Sequence, residues 1–286
     1  MSSPSSFLQS VALHGKMRTD TRRSGTSGVG RVCFGTMLLD WNDVTVDKAY
    51  FTHFYIVGVM NVLCCGGFVC IRSSVIRMRD FVLLVMLLVH VSRRWYECSF
   101  VHVWRDGSKM HVAGYVVGIV HYLLLPYVFF DFGSCRRNDA NTNFIGQVVC
   151  VVLFLFGQYQ QYRHHNILAR IRSGSTGVSC HQHAIPRTGW FEYVSCPHYL
   201  AEILIYLALV LYAKQSLDSY CPFNTQFFSE MKWFDIAQGF TQVKEEILFM
   251  WVVVNLSISS SNSHYWYKSK YDDYPSQRRA LIPFVF

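Results

Sequence analysis

Apolar positions in this chain gather into six stretches separated by short polar ones, and that spacing sets the first reading. The stretches cover about 51–71, 81–103, 112–132, 144–160, 199–213 and 246–259. A helix rises 1.5 Å per residue, so about 20 apolar residues cross the ~30 Å hydrocarbon core of a bilayer. The last two stretches are shorter than ~17 residues and need flanking aromatic positions to reach the interface. The pattern predicts an all-α, polytopic membrane helix bundle of six to seven transmembrane helices. The opening of the chain breaks the pattern. Residues 1–50 are rich in Ser, Thr, Arg and Gly, and their one apolar run, Phe34–Leu39, is too short to span or to serve as a secretory signal. We expect a poorly ordered segment over 1–43 and one membrane domain over 44–286. No internal repeat is visible, which argues against a transporter built from duplicated halves.

Composition agrees. Only 15% of the 286 residues are charged and 51% are apolar, whereas a soluble domain carries about 25% charged residues. The formal charge of +8 suits loops facing an anionic membrane leaflet. Its basic residues are dispersed over separate loops rather than forming one patch, which argues against nucleic-acid binding. If the opening segment is cytoplasmic, the loops at 104–111 and 161–198 and the tail at 260–286 are too. They hold Arg105, Lys109, Arg163, Arg170, Arg172, Arg187, Lys268, Lys270, Arg278 and Arg279. The opposite side holds Arg72, Arg77, Arg79, Arg136, Arg137, Lys214, Lys232 and Lys244. The modest excess favours a cytoplasmic tail. The 10 cysteines form no Cys-x-x-Cys and no metal-ligand spacing, so we expect small hydrophobes packed among helices and no metal.

Polar residues inside the apolar stretches carry the functional signal, since each charge near mid-bilayer costs about 2.5–3.5 kcal/mol on insertion scales. His198, Glu202 and Tyr206 recur every four residues and share one helix face, with Pro197 suited to the first turn. Gln158, Gln161 and His165 line one side of the preceding stretch. His90, Arg93, Arg94 and Glu97 interrupt the second stretch, with His90–Arg94 and Arg93–Glu97 at i,i+4. Such a set implies a buried, hydrated cavity. A plain alternative stands beside each reading. Arg93–Glu97 can be only a helix-stabilising ion pair, and the His198–Glu202–Tyr206 face only an interhelical hydrogen-bond network. His164, His165, His181 and His183 do not match a zinc signature. Neither a Gly-x-Gly-x-x-Gly nor a Walker pattern occurs, so a bound nucleotide is not held in a Rossmann fold.

Two segments extend the reading by resemblance. The tail His264–Phe286 (HYWYKSKYDDYPSQRRALIPFVF) and the run Trp190–Glu202 (WFEYVSCPHYLAE) resemble the steroid 5-alpha-reductase family. Tyr50–Ile56 (YFTHFYI), His90–Cys98 (HVSRRWYEC) and Trp190–Ser195 (WFEYVS) resemble in particular its polyprenol (polyprenal) reductase branch. The resemblance covers most of 44–286 and is strongest from His164 onward. It implies a multi-pass endoplasmic-reticulum enzyme, usually of seven helices, with a cytoplasmic C-terminus, that takes hydride from NADPH. It places the cofactor-binding half at about 144–286. Its cofactor contacts carry over to Gln161, His165, Arg172, His183, His198, Glu202, His264 and Tyr267. The sequence departs from the family in having His198 where Asn is usual and Ala184 where Arg is usual. The family's first helix has no readable counterpart.

The branch implied by the resemblance saturates the α-isoprene double bond of polyprenal, a long-chain polyisoprenoid lipid, on the route to dolichol for protein N-glycosylation. Reducing an alkene conjugated to a carbonyl needs a hydride at the β carbon and a donor for the enolate oxygen. Steroid-reducing members use a Glu and a Tyr for that oxygen, and their positions correspond here to Phe54 and Val91, which cannot donate. The nearby His53 and His90 are the candidate catalytic donors, with a pair of core histidines as the plain alternative. Reduction of a 3-oxo-Δ4-steroid and a non-catalytic scaffold of the same fold are the competing functional readings.

Overall fold

The computed structural model describes residues 44–72, 77–104, 107–130, 143–173, 185–215 and 232–285; the segment 1–43 lies outside them. Six α-helices appear among the described residues: α1 Phe51–Arg72, α2 Met78–Tyr96, α3 Val112–Phe129, α4 Phe144–Ser173, α5 Pro197–Lys214 and α6 Lys232–Lys270. Each corresponds to one of the six apolar stretches, although 81–103 and 112–132 run past the ends of α2 and α3. Three spans, Lys48–Ile71, Val112–Phe129 and Phe144–Ser173, are long and apolar enough to cross a membrane by length and composition. The fold is an all-α, polytopic membrane bundle with one small addition, an antiparallel ribbon of β1 (Thr45–Asp47) and β2 (Lys109–His111). Asp47 closes the turn into α1 by accepting from the Ala49 N–H at 2.9 Å, and the His111 ring accepts from the Ala113 N–H at 3.1 Å to cap α3. The ribbon therefore ties together the starts of two helices.

The helices depart from the apolar stretches chiefly at their ends. α2 begins earlier, at Met78, so Arg79 is a buried first-turn residue rather than a loop cation. Its guanidinium donates to the Ala213 carbonyl at 2.7 and 3.1 Å, satisfying a carbonyl in the last turn of α5 that has no helical partner. The far end of the same helix widens into a π-helical turn, Glu97–Val101. α4 continues past 160 to Ser173, and α6 runs well beyond 246–259 on both sides. These extensions are polar, and the extra turns follow from neighbouring helices rather than from hydropathy.

The core lies between α1, α2, α3 and α5. Leu83, Leu87 and Val91 stack at four-residue spacing on α2 and meet Leu125, Phe129, Ile205 and Leu209, none more than 2% exposed. Small residues set the closest approaches. A Cβ on Gly157 of α4 would lie 2.8 Å from Ile205 Cγ1 and 3.2 Å from the Ala201 carbonyl of α5. Apolar residues remain exposed on the outer faces, among them Met60 and Leu63 on α1, Val116 and Leu124 on α3, and Val152 and Leu155 on α4. A bilayer accounts for such faces, since lipid takes the place of protein against them.

Candidate active site

Antiparallel neighbours share an end of the bundle, and at one such end the polar positions converge. It is formed by the start of α1, the end of α2, the start of α3, the later half of α4 and the first half of α5. A cavity of about 390 Å³ opens there. One wall is polar: Tyr55, Arg94, Gln161, His165, His198, Glu202 and Tyr206. The other carries Phe51, Phe54, Val117, Gly118, Trp251, Val252 and Leu256.

Two carboxylates organise the polar wall. Glu97, fully buried in the π-helical turn, accepts from Arg93 and Arg94 of its own helix and pairs with His165 Nδ1 of α4 at 2.7 Å. Glu202 of α5 accepts from the Gln161 side chain and lies 3.9 Å from Arg94 Nε. His90 Nε2 sits 3.2 Å from Glu202 but is misaligned for a hydrogen bond. Arg93 also donates to Gln158 and Gln161, and Arg94 donates to the Tyr55 hydroxyl at 2.8 Å. Two guanidiniums thus face two carboxylates, which leaves no net charge in this part of the interior once the histidines are neutral. Arg93–Glu97 is the i,i+4 pair expected from spacing, but it is one edge of a network that crosses four helices, α1, α2, α4 and α5.

The structure brings Gln161, His165, His198 and Glu202 together on the cavity wall. His198 Nδ1 is buried without a partner, so a polar atom there awaits a ligand. Arg172 is exposed on the last turn of α4 and donates to the Val103 carbonyl at 3.3 Å. His264 and Tyr267 stand on α6 outside the cavity lining: His264 Nδ1 is 2.6 Å from Ser195 Oγ, and Tyr267 stacks on Tyr274 at 5.7 Å. His183 and Ala184 lie outside the described residues. Of the histidines read as donors, His53 is exposed, stacked on Tyr50 and bonded to the Tyr115 hydroxyl at 3.1 Å. His90 lies behind the wall, 3.2 Å from the Gln158 amide. Phe54 lines the cavity with its ring over Gly118, and Val91 is buried in the core.

Tyr55, His121 and Tyr122 are among the lining residues that escaped the sequence reading. His121 Nε2 meets the Tyr206 hydroxyl at 2.8 Å. A lone His or Tyr in an apolar stretch carries no local mark that separates lining from packing. Glu97, His102 and His165 also bring three ligand-type atoms within 4.8 Å of one another. Two guanidiniums already hold that carboxylate, so a divalent cation would add to fixed positive charge, and the cluster belongs to the ion network.

The tail docks on the loop entering α5. The Ser195 N–H donates to the Arg279 carbonyl at 2.8 Å, and the Arg279 N–H donates to the Tyr193 carbonyl at 2.9 Å. Ser195 Oγ is within 2.5 Å of the Tyr274 hydroxyl. Arg278, only 1% exposed, lies with its guanidinium carbon 5.1 Å from the centre of the Tyr274 ring. Burial pushes the neighbouring Cys196 thiol up to about 12 and raises the Tyr274 phenol.

A membrane helix bundle with a charged, partly apolar cavity has the features of a site for an amphipathic ligand. Comparison makes it specific: a family model described as 3-oxo-5-alpha-steroid 4-dehydrogenase matches residues 108–228 and 219–286, and the chain belongs to that family, the steroid 5-alpha-reductases. Polyprenal reductase of Danio rerio is 30% identical over 271 residues, covering 84% of this chain and 79% of the relative. Polyprenal reductase of Homo sapiens is 30% identical over 278 residues, covering 84% and 78%. Polyprenal reductase 1 of Oryza sativa subsp. indica is 28% identical over 237 residues, covering 72% and 59%. Membership implies a nicotinamide cofactor.

Proposed function

We propose that this protein saturates the α-isoprene double bond of a long-chain polyprenal, with NADPH as reductant, in the endoplasmic-reticulum membrane and with its C-terminus cytoplasmic. The observation that carries the proposal is the mixed lining of the cavity: a carboxylate-centred polar set mainly from α2, α4 and α5, and a largely apolar set from α1, α3 and α6 that includes Phe54, at the position that corresponds to a ketone-holding residue of steroid-reducing relatives. A linear isoprenoid aldehyde needs an apolar channel and one oxygen site, and it gains little from a second fixed donor. The names of the vertebrate and plant relatives favour the same substrate.

The donor set fits a nicotinamide dinucleotide. Glu202 accepts from hydroxyl or amide donors, the free His198 Nδ1 and the Gln161 amide supply further polar contacts, and His165 completes the wall. Arg172, on the last turn of α4, offers a planar guanidinium to a phosphate, and the family resemblance adds His183, His264 and Tyr267 as further candidates. When bound, the reduced cofactor supplies a hydride. The protein's part is to orient it, to keep Glu202 ionised against Arg94, and to hold the substrate chain against the apolar wall while water is excluded.

The test is turnover by purified protein in detergent, given NADPH with polyprenal or with a 3-oxo-Δ4-steroid. We expect dolichal from polyprenal and little steroid product. Glu202→Gln should weaken binding of the dinucleotide while the fold survives. A folded protein that binds NADPH yet leaves polyprenal untouched overturns the substrate assignment. If it binds no dinucleotide, and Glu202→Gln changes nothing, the scaffold reading holds instead.

A further inference from the structure

With Phe54 on the cavity wall and Val91 in the core, the oxygen of an unsaturated aldehyde lacks the donors that its steroid-reducing relatives use. We infer that the Tyr206 hydroxyl, backed by His121, is the proton donor to that oxygen; the inference rests on the reductase reading above and deepens it.

Four observations place it there. Both residues line the cavity, and His121 Nε2 meets the Tyr206 hydroxyl at 2.8 Å. Tyr206 follows Glu202 by one turn of α5 and His121 follows Gly118 by three residues on α3, so the pair joins a helix of the polar lining to a helix of the apolar lining, and that junction is the seam between them. That seam is where a chain lying on the apolar side would present its aldehyde. With His121 as the Nε2–H tautomer, the Tyr206 hydroxyl accepts from the imidazole and keeps its own hydrogen for a carbonyl. The rival donors are occupied or remote: His53 is exposed and bonded to Tyr115, His90 faces Gln158 and Glu202 behind the wall, Tyr55 is held by Arg94 within the ion network, and the Tyr122 hydroxyl is engaged with those of Tyr55 and Tyr206.

The step balances as follows. A hydride from the reduced nicotinamide bonds to the β carbon, and the C=C pair moves between the α carbon and the carbonyl carbon. The C=O pair goes to oxygen, which takes the Tyr206 proton and leaves an enol. His121 returns a proton to the phenolate from Nε2 as water protonates Nδ1 and becomes hydroxide. The enol O–H proton passes to that hydroxide and the α carbon takes a proton from solvent, so one proton is consumed for each hydride. The substrate gains two electrons and the nicotinamide loses two.

The experiment follows the carbonyl directly. A short isoprenoid enal, labelled with ¹³C at its carbonyl, is bound to detergent-purified protein with oxidised cofactor, and the carbonyl stretch is read by infrared difference spectroscopy. NADPH turnover is measured in parallel. Wild-type protein should shift the stretch to lower wavenumber, and Tyr206→Phe should abolish the shift, keep dinucleotide affinity and lower kcat about 10²-fold. His121→Leu should lower kcat less and His121→Gln, which keeps an N–H, less again. An unshifted wild-type carbonyl in the bound enal, or a Tyr206→Phe protein with the wild-type shift and kcat, overturns the inference while leaving the reductase reading standing. If no enal binds to protein that binds the dinucleotide, both the substrate class and this inference fail.

Discussion

Replacing Glu97 with Gln removes one of two anions from an interior that holds Arg93 and Arg94. Gln is nearly isosteric and can still accept a hydrogen bond, so the perturbation is mainly electrostatic. It leaves one guanidinium charge uncompensated where the side chain it replaces has no exposure. Breaking a buried pair from one side costs about 3–5 kcal/mol, because the remaining charge keeps its desolvation penalty. For a domain of this size, about 1 kcal/mol corresponds to roughly 2–4 °C in melting temperature, so Glu97→Gln should melt about 6–20 °C below wild type. The double variant Arg93→Met/Glu97→Leu restores the charge balance, with Arg94 facing Glu202 at 3.9 Å. It should therefore recover much of the loss despite lacking one more native group. Melting in detergent, followed by intrinsic fluorescence at matched protein and lipid content, reads both. If the single variant melts within about 2 °C of wild type, or the double variant melts lower still, the network is not a balanced buried set.

Three other expectations follow from the packing. Gly157→Val should destabilise by about 1–3 kcal/mol through overpacking between α4 and α5, seen as a lower melting point and weaker dinucleotide binding; equal stability would mean that the helices can part freely there. Cys196, with its thiol pushed up to about 12 by burial, stays protonated near neutrality, since the thiolate forms only as pH rises towards that value. Maleimide should label it at pH 7.5 only after denaturation, and peptide mass mapping of native and denatured samples checks this. Arg278→Leu should loosen the tail from the loop before α5, raising the KM for the cofactor more than it lowers kcat; unchanged kinetics and unchanged protease resistance of the tail would contradict the docking role.

Hydropathy located all six helices because lipid-facing positions must be apolar whatever they pack against. Their ends were harder to read. α4 continues past 160 through His164 and His165 because α5, Trp190 and Phe191 cover it, and that cover comes from residues distant in sequence. Lys244, Glu245 and Glu246 break the apolar run of α6, yet the helix continues through them, with Lys214 of α5 paired to Glu246. Four-residue spacing was enough to group Glu202 with His198 and Tyr206, and Arg93 with Glu97. It could not show that the two sets meet through Gln161 and Arg94, because helix-to-helix register has no local signature. His53 illustrates the opposite failure: its place beside Phe54 suggested the cavity, but successive residues on a helix point about 100° apart, and the side chain turns outward to Tyr115.

The arrangement of charges on α2 and α5 also bears on how the bundle is assembled. α2 and its π-helical turn carry three cations, Arg79, Arg93 and Arg94, against two anions, Asp80 and Glu97, and so keep a residual positive charge. α5 carries Glu202 with no cation within a turn of it. A lone carboxylate at the centre of a membrane helix costs about 2.5–3.5 kcal/mol on insertion scales, which pairing with α2 relieves. The two helices are separated by about 100 residues, so electrostatics supplies a matching rule that chain connectivity does not. The polar lining of the cavity, which takes Arg94 from α2 and Glu202 from α5, is complete only when that match is made.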